Sequence, residues 1–525
     1  MAKETGVAAN HPEGEQELAV VGIADANQTS TVDTYAGTIH VKWDETAAVT
    51  PFGQLAFFIE FLKAARLWDR WVEECPVSYT SPNAPGKADV LGTILLSVLS
   101  GHRRYAHITA LRFDGVNPQL LGMSRVCSED SVRRAFGEVK ASECATWQTR
   151  HLRISYEPLL SEPWILDIDS TVKPLYGHQE GAVKGYNPGK PGRPSHVYHT
   201  YFAANIRLVL DVEVQAGNQT ASSYAQPEFW KYIDSLPAEA RPVFVRGDCG
   251  WGSERMMSEA EERKIQYLFK LKQSSKVKRL IQQAFSRQDW VPAGQGWKGV
   301  EAELLLTGWS RQRRVIVLRR RIPDERLREE KKRLADTTPE QQLALGFVEM
   351  VKDGPLYEYA VLVTSLPDEI LALGQHYRDR SDAENNFDEL KNQWGWSGFT
   401  THDLKRCQIM ARTIALVYNW WSLFTRLAIP EKHAEAITSR PLLLNAVGKQ
   451  TTHSGQTTVT VTSMHAKGPQ MRSALQAISL FLATIRDAAE QLTDLQRWLL
   501  ILSQVFCVFL KGRTLGQPQF ISGAG

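Results

Sequence analysis

Residues 164–171 read W-I-L-D-I-D-S-T, a short apolar run ending in acid, and this stretch decides the fold. It reads as a strand. HVYHTYFAA (196–204) and RLVLDVEVQ (207–215) follow on either side of Asn205 as a hairpin. A helical stretch over about 222–236 leads into PVFVRGD (242–248), a buried-type strand. A helix over about 253–263 then precedes QYLFKLK (266–272), a fifth strand. Three strands, helix, strand, helix, strand predicts an α/β core with helices packed on a mixed sheet.

Outward from this core the texture changes. Upstream, AFFIEFLKAARLWDRWVEE (56–74), the run at 90–99 and the N-terminal signature SEDS (128–131) predict helices, so 46–150 reads as a helical region with DNA binding as a candidate role. Residues 1–45 are polar and aperiodic and read as a disordered acidic tail. Downstream, VEAELLLTG (300–308), RRVIVLR (313–319) and YEYAVLVTS (357–365) predict strands within a β-rich basic insertion, 286–365. The core spans 151–285 and 366–430, with a helical pattern resuming near Gln375. A Thr-rich loop (451–463) lies within a helical C-terminal region, 431–525, a candidate for dimerisation.

The 525 residues carry a net charge of only +3, but unevenly: the first 50 sum to −6 and the remainder to +9. Residues 311–335 alone hold eleven Lys and Arg against four acids. Six dispersed cysteines without a C-x-x-C pair argue against a disulfide scaffold or a thiolate zinc site. The apolar run 498–510 is too short to span a bilayer, and the N-terminus lacks a signal-peptide pattern. A soluble, cytoplasmic chain is expected.

Three acids stand out by position. Asp169 ends the first strand, Asp248 follows the fourth, and Glu384 sits on the helix after the insertion. Carboxylates from strand ends and a facing helix can converge at one sheet edge, and such hard oxygen donors suit Mg²⁺ or Mn²⁺. Two such ions would serve phosphoryl transfer. On a continuous helix, Tyr377, Arg380, Glu384 and Lys391 fall within about 60° of one another. That face presents a phenol, a guanidinium that can clamp a phosphate, a carboxylate and an ammonium. The alternative is a salt-bridged surface helix, since Arg380 and Glu384 are also an i,i+4 pair.

Y-x2-R-x3-E-x6-K behind a strand-end D-S-T and an R-G-D-x-G-aromatic motif resembles the DDE transposases of bacterial insertion sequences, and within them the cut-and-paste group with the YREK signature. Tyr176 to His199 also resembles the loop after the first catalytic strand in one family of this group. The resemblance implies an RNase H-like core interrupted by a β-strand insertion. It implies Asp169, Asp248 and Glu384 as the metal-binding triad for two Mg²⁺ or Mn²⁺ ions, with Tyr377, Arg380 and Lys391 on phosphates of the transposon end. Asp167, on the same strand face, is a rival for the first position; Ser170-Thr171 favour Asp169, as in the family. The partners implied are double-stranded DNA at transposon ends and target, and a second copy of the chain in the synaptic complex; the location implied is the bacterial nucleoid.

Further cations are candidate DNA contacts. Lys173, Lys184, Lys190 and Arg193 flank the first motif, and Arg313, Arg314, Arg319 and Arg320 belong to the basic insertion. Trp290, Trp297 and Trp309 are candidate platforms for a flipped base. His196 and His199 point to opposite strand faces and make a poor metal pair. A stand-alone nuclease and a catalytically inactive DNA-binding protein remain as other readings.

Overall fold

The computed structural model describes residues 29–79, 81–322, 357–462 and 467–516, except the side chains at 222, 223, 382 and 383. Two units are distinguished, Met1–Ala48 and Val49–Gly525. In the first, Ser30–Thr34 pairs antiparallel with Gly37–Val41. The tail reading therefore fails over this stretch. Thr34 Oγ donates to the Gly37 carbonyl at 2.7 Å, and Gly37 supplies the positive φ of the turn.

The second unit begins with helices α1 (Leu55–Ala64), α2 (Leu67–Glu73), α3 (Lys87–Leu99), α4 (Glu129–Ala135) and α5 (Ala141–Tyr156). Ser128 caps α4 by accepting from the Ser131 amide, as its sequence signature predicts. These helices share one apolar core with the sheet. Trp71 stacks on Trp147 and meets Trp420 edge-on, and Phe58 contacts Trp421 and Phe424.

The sheet starts with β1 (Ile165–Pro174), joined antiparallel by β2 (Pro194–Ala203) and then β3 (Leu208–Ala216). After α6 (Gln226–Asp234), β4 (Phe244–Gly247) lies parallel to β1 on its other side. Beyond α7 (Glu254–Glu262), capped by Ser253, β5 (Gln266–Lys270) lies parallel to β4. The order β3-β2-β1-β4-β5 is the RNase H-like arrangement that the family resemblance implies.

The insertion forms strands where its sequence predicts them. Its strands β6 (Val291–Gly294), β7 (Trp297–Leu304), β8 (Arg313–Arg321) and β9 (Tyr357–Thr364) extend the core sheet itself, because β9 hydrogen-bonds antiparallel to β5. One face of this extension carries a second apolar cluster, including Leu268, Ile316, Leu362 and Leu373. Leu373 lies on α8 (Ile370–Arg378), which packs there. The packing is close enough to require glycine. A Cβ on Gly299 would stand 2.4 Å from an Ile370 methyl, and one on Gly374 would stand 2.8 Å from the Ala293 carbonyl oxygen.

Then come α9 (Arg380–Asn392) and the 25-residue α10 (Leu404–Ala428). Helix α10 closes the outer edge of β3 with its side chains. Asn419 accepts from the Val209 amide at 2.9 Å and donates to the Val209 carbonyl at 2.8 Å. Gln408 bonds Val212 and Val214 in the same way, while Arg412 pairs with Asp211 between them. Spacings of four and seven residues keep all three on one helical face. The Thr-rich stretch expected as a loop forms strands Gly448–His453 and Gln456–Val461, turned by Ser454 and Gly455 at positive φ. Helices α11 (Gly468–Asp487) and α12 (Asp494–Val505) complete the unit. Among the described residues no helix is long and apolar enough to cross a membrane.

Candidate active site

Strand β1 presents Asp167, Asp169, Thr171 and Lys173 on one face by its two-residue period. The two aspartates have different fates. Asp167 is fully buried and both oxygens accept from Arg246, which stands opposite it on β4; the Nη2 bond is 2.8 Å. This rival for the first catalytic position is a buried ion pair, neutralised from within. Asp169, further along, keeps about a fifth of its side chain exposed and lies 3.3 Å from Arg380 Nη2. Burial pushes its carboxyl up to about 6; Arg380 opposes that shift, while Asp248 and Glu384 add to it by like-charge repulsion.

Asp248 follows β4 in a turn it helps to build, accepting from the Gly250 amide at 2.9 Å. Glu384 lies on α9 with 59% of its side chain exposed and accepts from Arg380 Nη1 at 2.6 Å. Arg380 is thus shared between Asp169 and Glu384, is itself nearly buried, and is held charged by these acids and Asp248. Tyr377 adds a phenol whose ionisation burial pushes up to about 12. Tyr377 belongs to α8 and Arg380 opens α9, so the single helix expected from the sequence is interrupted at Asp379. Asp379 keeps right-handed helical angles, and the register therefore carries across the break.

Among the described residues no three His, Cys, Asp or Glu side chains stand together as a metal-holding group. A guanidinium stands between Asp169 and Glu384 as their counter-ion. The side chains themselves, three carboxylates, are hard oxygen donors of the kind a divalent cation takes.

Lys391, near the C-terminal end of α9, faces a different place. Together with Thr171, Lys173, Tyr176, Tyr198 and Trp396 it lines a cleft of about 170 Å³. Lys190 and Arg193 stand over the Tyr176 ring at 5.0 and 4.7 Å. Four of the sequence-derived cations therefore gather here, while Lys184 sits exposed on a two-residue strand that pairs with β2.

The insertion arginines have partners within the protein. Arg313 is 4% exposed and bonds Glu254 and Glu261 of α7. Arg314 pairs with Glu301 and the carbonyls of Leu366 and Asp368. Arg319 lies 3.7 Å over Trp290 and 4.9 Å over Tyr357, and Arg320 pairs with Glu358 over Trp297. Arg313 also covers Trp309. Arg313, Arg314 and Arg320 are paired with acids within the protein, Arg319 lies against two aromatic rings, and Trp290, Trp297 and Trp309 each lie under one of these guanidiniums. The rest of the basic run, from 323, lies outside the described residues. His196 and His199 part to separate partners, the Glu180 carbonyl and Ser170.

Sequence reasoning missed Arg246 and the cleft aromatics. Arg246 had a signal: an arginine two residues before Asp248, on a strand fated to lie beside a buried aspartate.

Residues 86–482 match the family described as transposase DDE domain group 1. No curated protein matches the chain. A solved structure of a piggyBac transposase synaptic complex with hairpin DNA aligns over 92% of this chain and 90% of that one, at 10% identity and a TM-score of 0.35, a likeness too slight to carry a functional conclusion. On the family match, which spans most of its length and all three acids, this chain belongs to the DDE transposase domain group 1 family.

Proposed function

We propose that the chain is a cut-and-paste transposase of the YREK group, encoded by a bacterial insertion sequence and acting in the cytoplasm at the nucleoid. It binds the terminal inverted repeats of its element, cleaves them, and joins the freed 3′-OH ends to target DNA, with hairpin ends as intermediates and two copies of the chain holding two ends together. The observation that carries this reading is the pairing of Asp169 and Glu384, from two separate elements, with one buried arginine whose charge Asp248 also favours. When bound, two Mg²⁺ or Mn²⁺ ions would activate the attacking oxygen and stabilise the leaving one.

The chain's own residues do the rest. Asp169, Asp248 and Glu384 supply the anionic cage. Arg380, released from Glu384, retains Asp169 as a partner and offers a forked donor set to a phosphate. Tyr377, a phenol held protonated by burial, donates a hydrogen bond at the same edge.

The test is incubation of purified protein with Mg²⁺ or Mn²⁺, DNA bearing the element's ends, and a target plasmid, beside a Glu384→Gln variant. End-specific cleavage and joining by the wild type alone support the proposal. Cleavage indifferent to end sequence indicates a stand-alone nuclease, and binding without cleavage an inactive DNA-binding protein. Full activity of Glu384→Gln removes Glu384 from the site.

A further inference from the structure

Lys173 is 5% exposed, and among the described residues no carboxylate pairs with it. Its ammonium donates to the Tyr198 hydroxyl at 3.2 Å and to the Gly398 carbonyl, two neutral acceptors for a group with three N–H donors. Burial without an opposing charge pulls its proton affinity down to about 8. A buried cation left without a counter-ion is costly, and folds usually avoid it. Here it lines the cleft beside Lys391, for which no ion pair is recorded among the described residues, and none of the nine lining residues is acidic.

The rest of the lining is aromatic. Tyr176 stands at the mouth with 68% of its surface exposed and two cations over its ring; Tyr198 and Trp396 form the wall. At about 170 Å³ the cleft is smaller than the ~300–1,000 Å³ usual for larger ligands, so it takes one small moiety. Positive charge without acids asks for an anion, and aromatic walls ask for a flat ring attached to it. Lys173 is four residues from Asp169 on the same face of β1, roughly 13 Å along the strand.

We propose that this cleft holds a single unpaired nucleotide of the DNA being processed, its phosphate between Lys173 and Lys391 and its base against Tyr176. This rests on the DNA-processing reading above and adds to it a site for one unpaired residue set back from the catalytic acids.

The experiment uses the full chain and synthetic DNA with a three-nucleotide overhang carrying 2-aminopurine, beside the same overhang made abasic and a blunt duplex. Affinity is read by anisotropy and stacking by 2-aminopurine quenching. The wild type is expected to prefer the base-bearing overhang to the blunt duplex and to quench its fluorescence. Lys173→Met is expected to weaken overhang binding about tenfold and change blunt binding less than twofold. Tyr176→Ala, at an exposed position that leaves the core intact, is expected to abolish the quenching, and it carries the test should Lys173→Met fail to fold. An abasic overhang bound as tightly as the base-bearing one overturns the proposal. So does an equal loss on blunt and overhang DNA, or unchanged quenching in Tyr176→Ala. Loss of all DNA binding by the wild type would instead defeat the underlying DNA-processing reading.

Discussion

Asp167 and Arg246 show how much a single residue's role depends on its neighbours. The sequence places Asp167 and Asp169 on one strand face; the parallel register with β4 separates them by placing Arg246 beside the first. Removing one partner of such a buried pair costs about 3–5 kcal/mol. Arg246→Met is therefore expected to lower the denaturation midpoint strongly, and Asp167→Asn in the same chain to restore part of it. Glu213 is a second case. Burial, with Asp211 beside it, pushes its carboxyl up to about 7 from 4.5. The raised value means that the fold favours the protonated acid. Its stabilising contribution is complete below the unfolded value and is lost as pH rises through about 7. Glu213→Gln should stabilise the protein by about 2 kcal/mol at pH 8 and by little at pH 5, which thermal melts at the two pH values would check. Neither effect is legible from the local sequence, because each is set by residues that only the fold brings near.

At the scale of elements the sequence is more transparent. WILDIDST, PVFVRGD and QYLFKLK are apolar enough over four to six residues that burial dictates strands, and Ser128 and Ser253 mark helix starts by the chemistry of their hydroxyls. The misses have physical causes. The Thr-rich hairpin alternates little in polarity, and only its Ser-Gly turn betrays it. The break at Asp379 leaves the helical angles almost unchanged and so leaves no mark on periodicity. Helix α10 lends itself to a direct test. Asn419→Leu would strand the buried amide and carbonyl of Val209, at a cost of about 1–3 kcal/mol for each unsatisfied group. Faster hydrogen exchange confined to β3 is the expected signature. For α8, Gly374→Ala should lift the helix from β6 and reduce DNA cleavage through the displaced Tyr377, while binding is retained.

For the molecule as a whole, charge distribution has to be read against what the fold pairs. The excess of cations in the insertion pointed to DNA, yet Arg313, Arg314, Arg319 and Arg320 are held by acids and tryptophans as far as 59 residues away in sequence. Their substitution should lower stability and leave the salt dependence of DNA binding nearly unchanged. Lys391→Ala should instead reduce the slope of log affinity against log salt by about 1, as expected for one lost phosphate contact. The fold class was readable because it follows from element order. The union of insertion and core into one sheet was not, because the pairing of β9 with β5 joins Phe269 to Val363 across nearly a hundred residues.

That pairing bears on how such a chain could be shortened or rebuilt. The inner edge of the added strands is also the wall that seals β5; without them Tyr267, Leu268 and Phe269 would offer a bare row of amides and carbonyls to any other chain. Excising 286–365 would thus leave a protein prone to self-association rather than a minimal nuclease, and light scattering during refolding would reveal it. The segment thus covers an otherwise open sheet edge as well as seating α8.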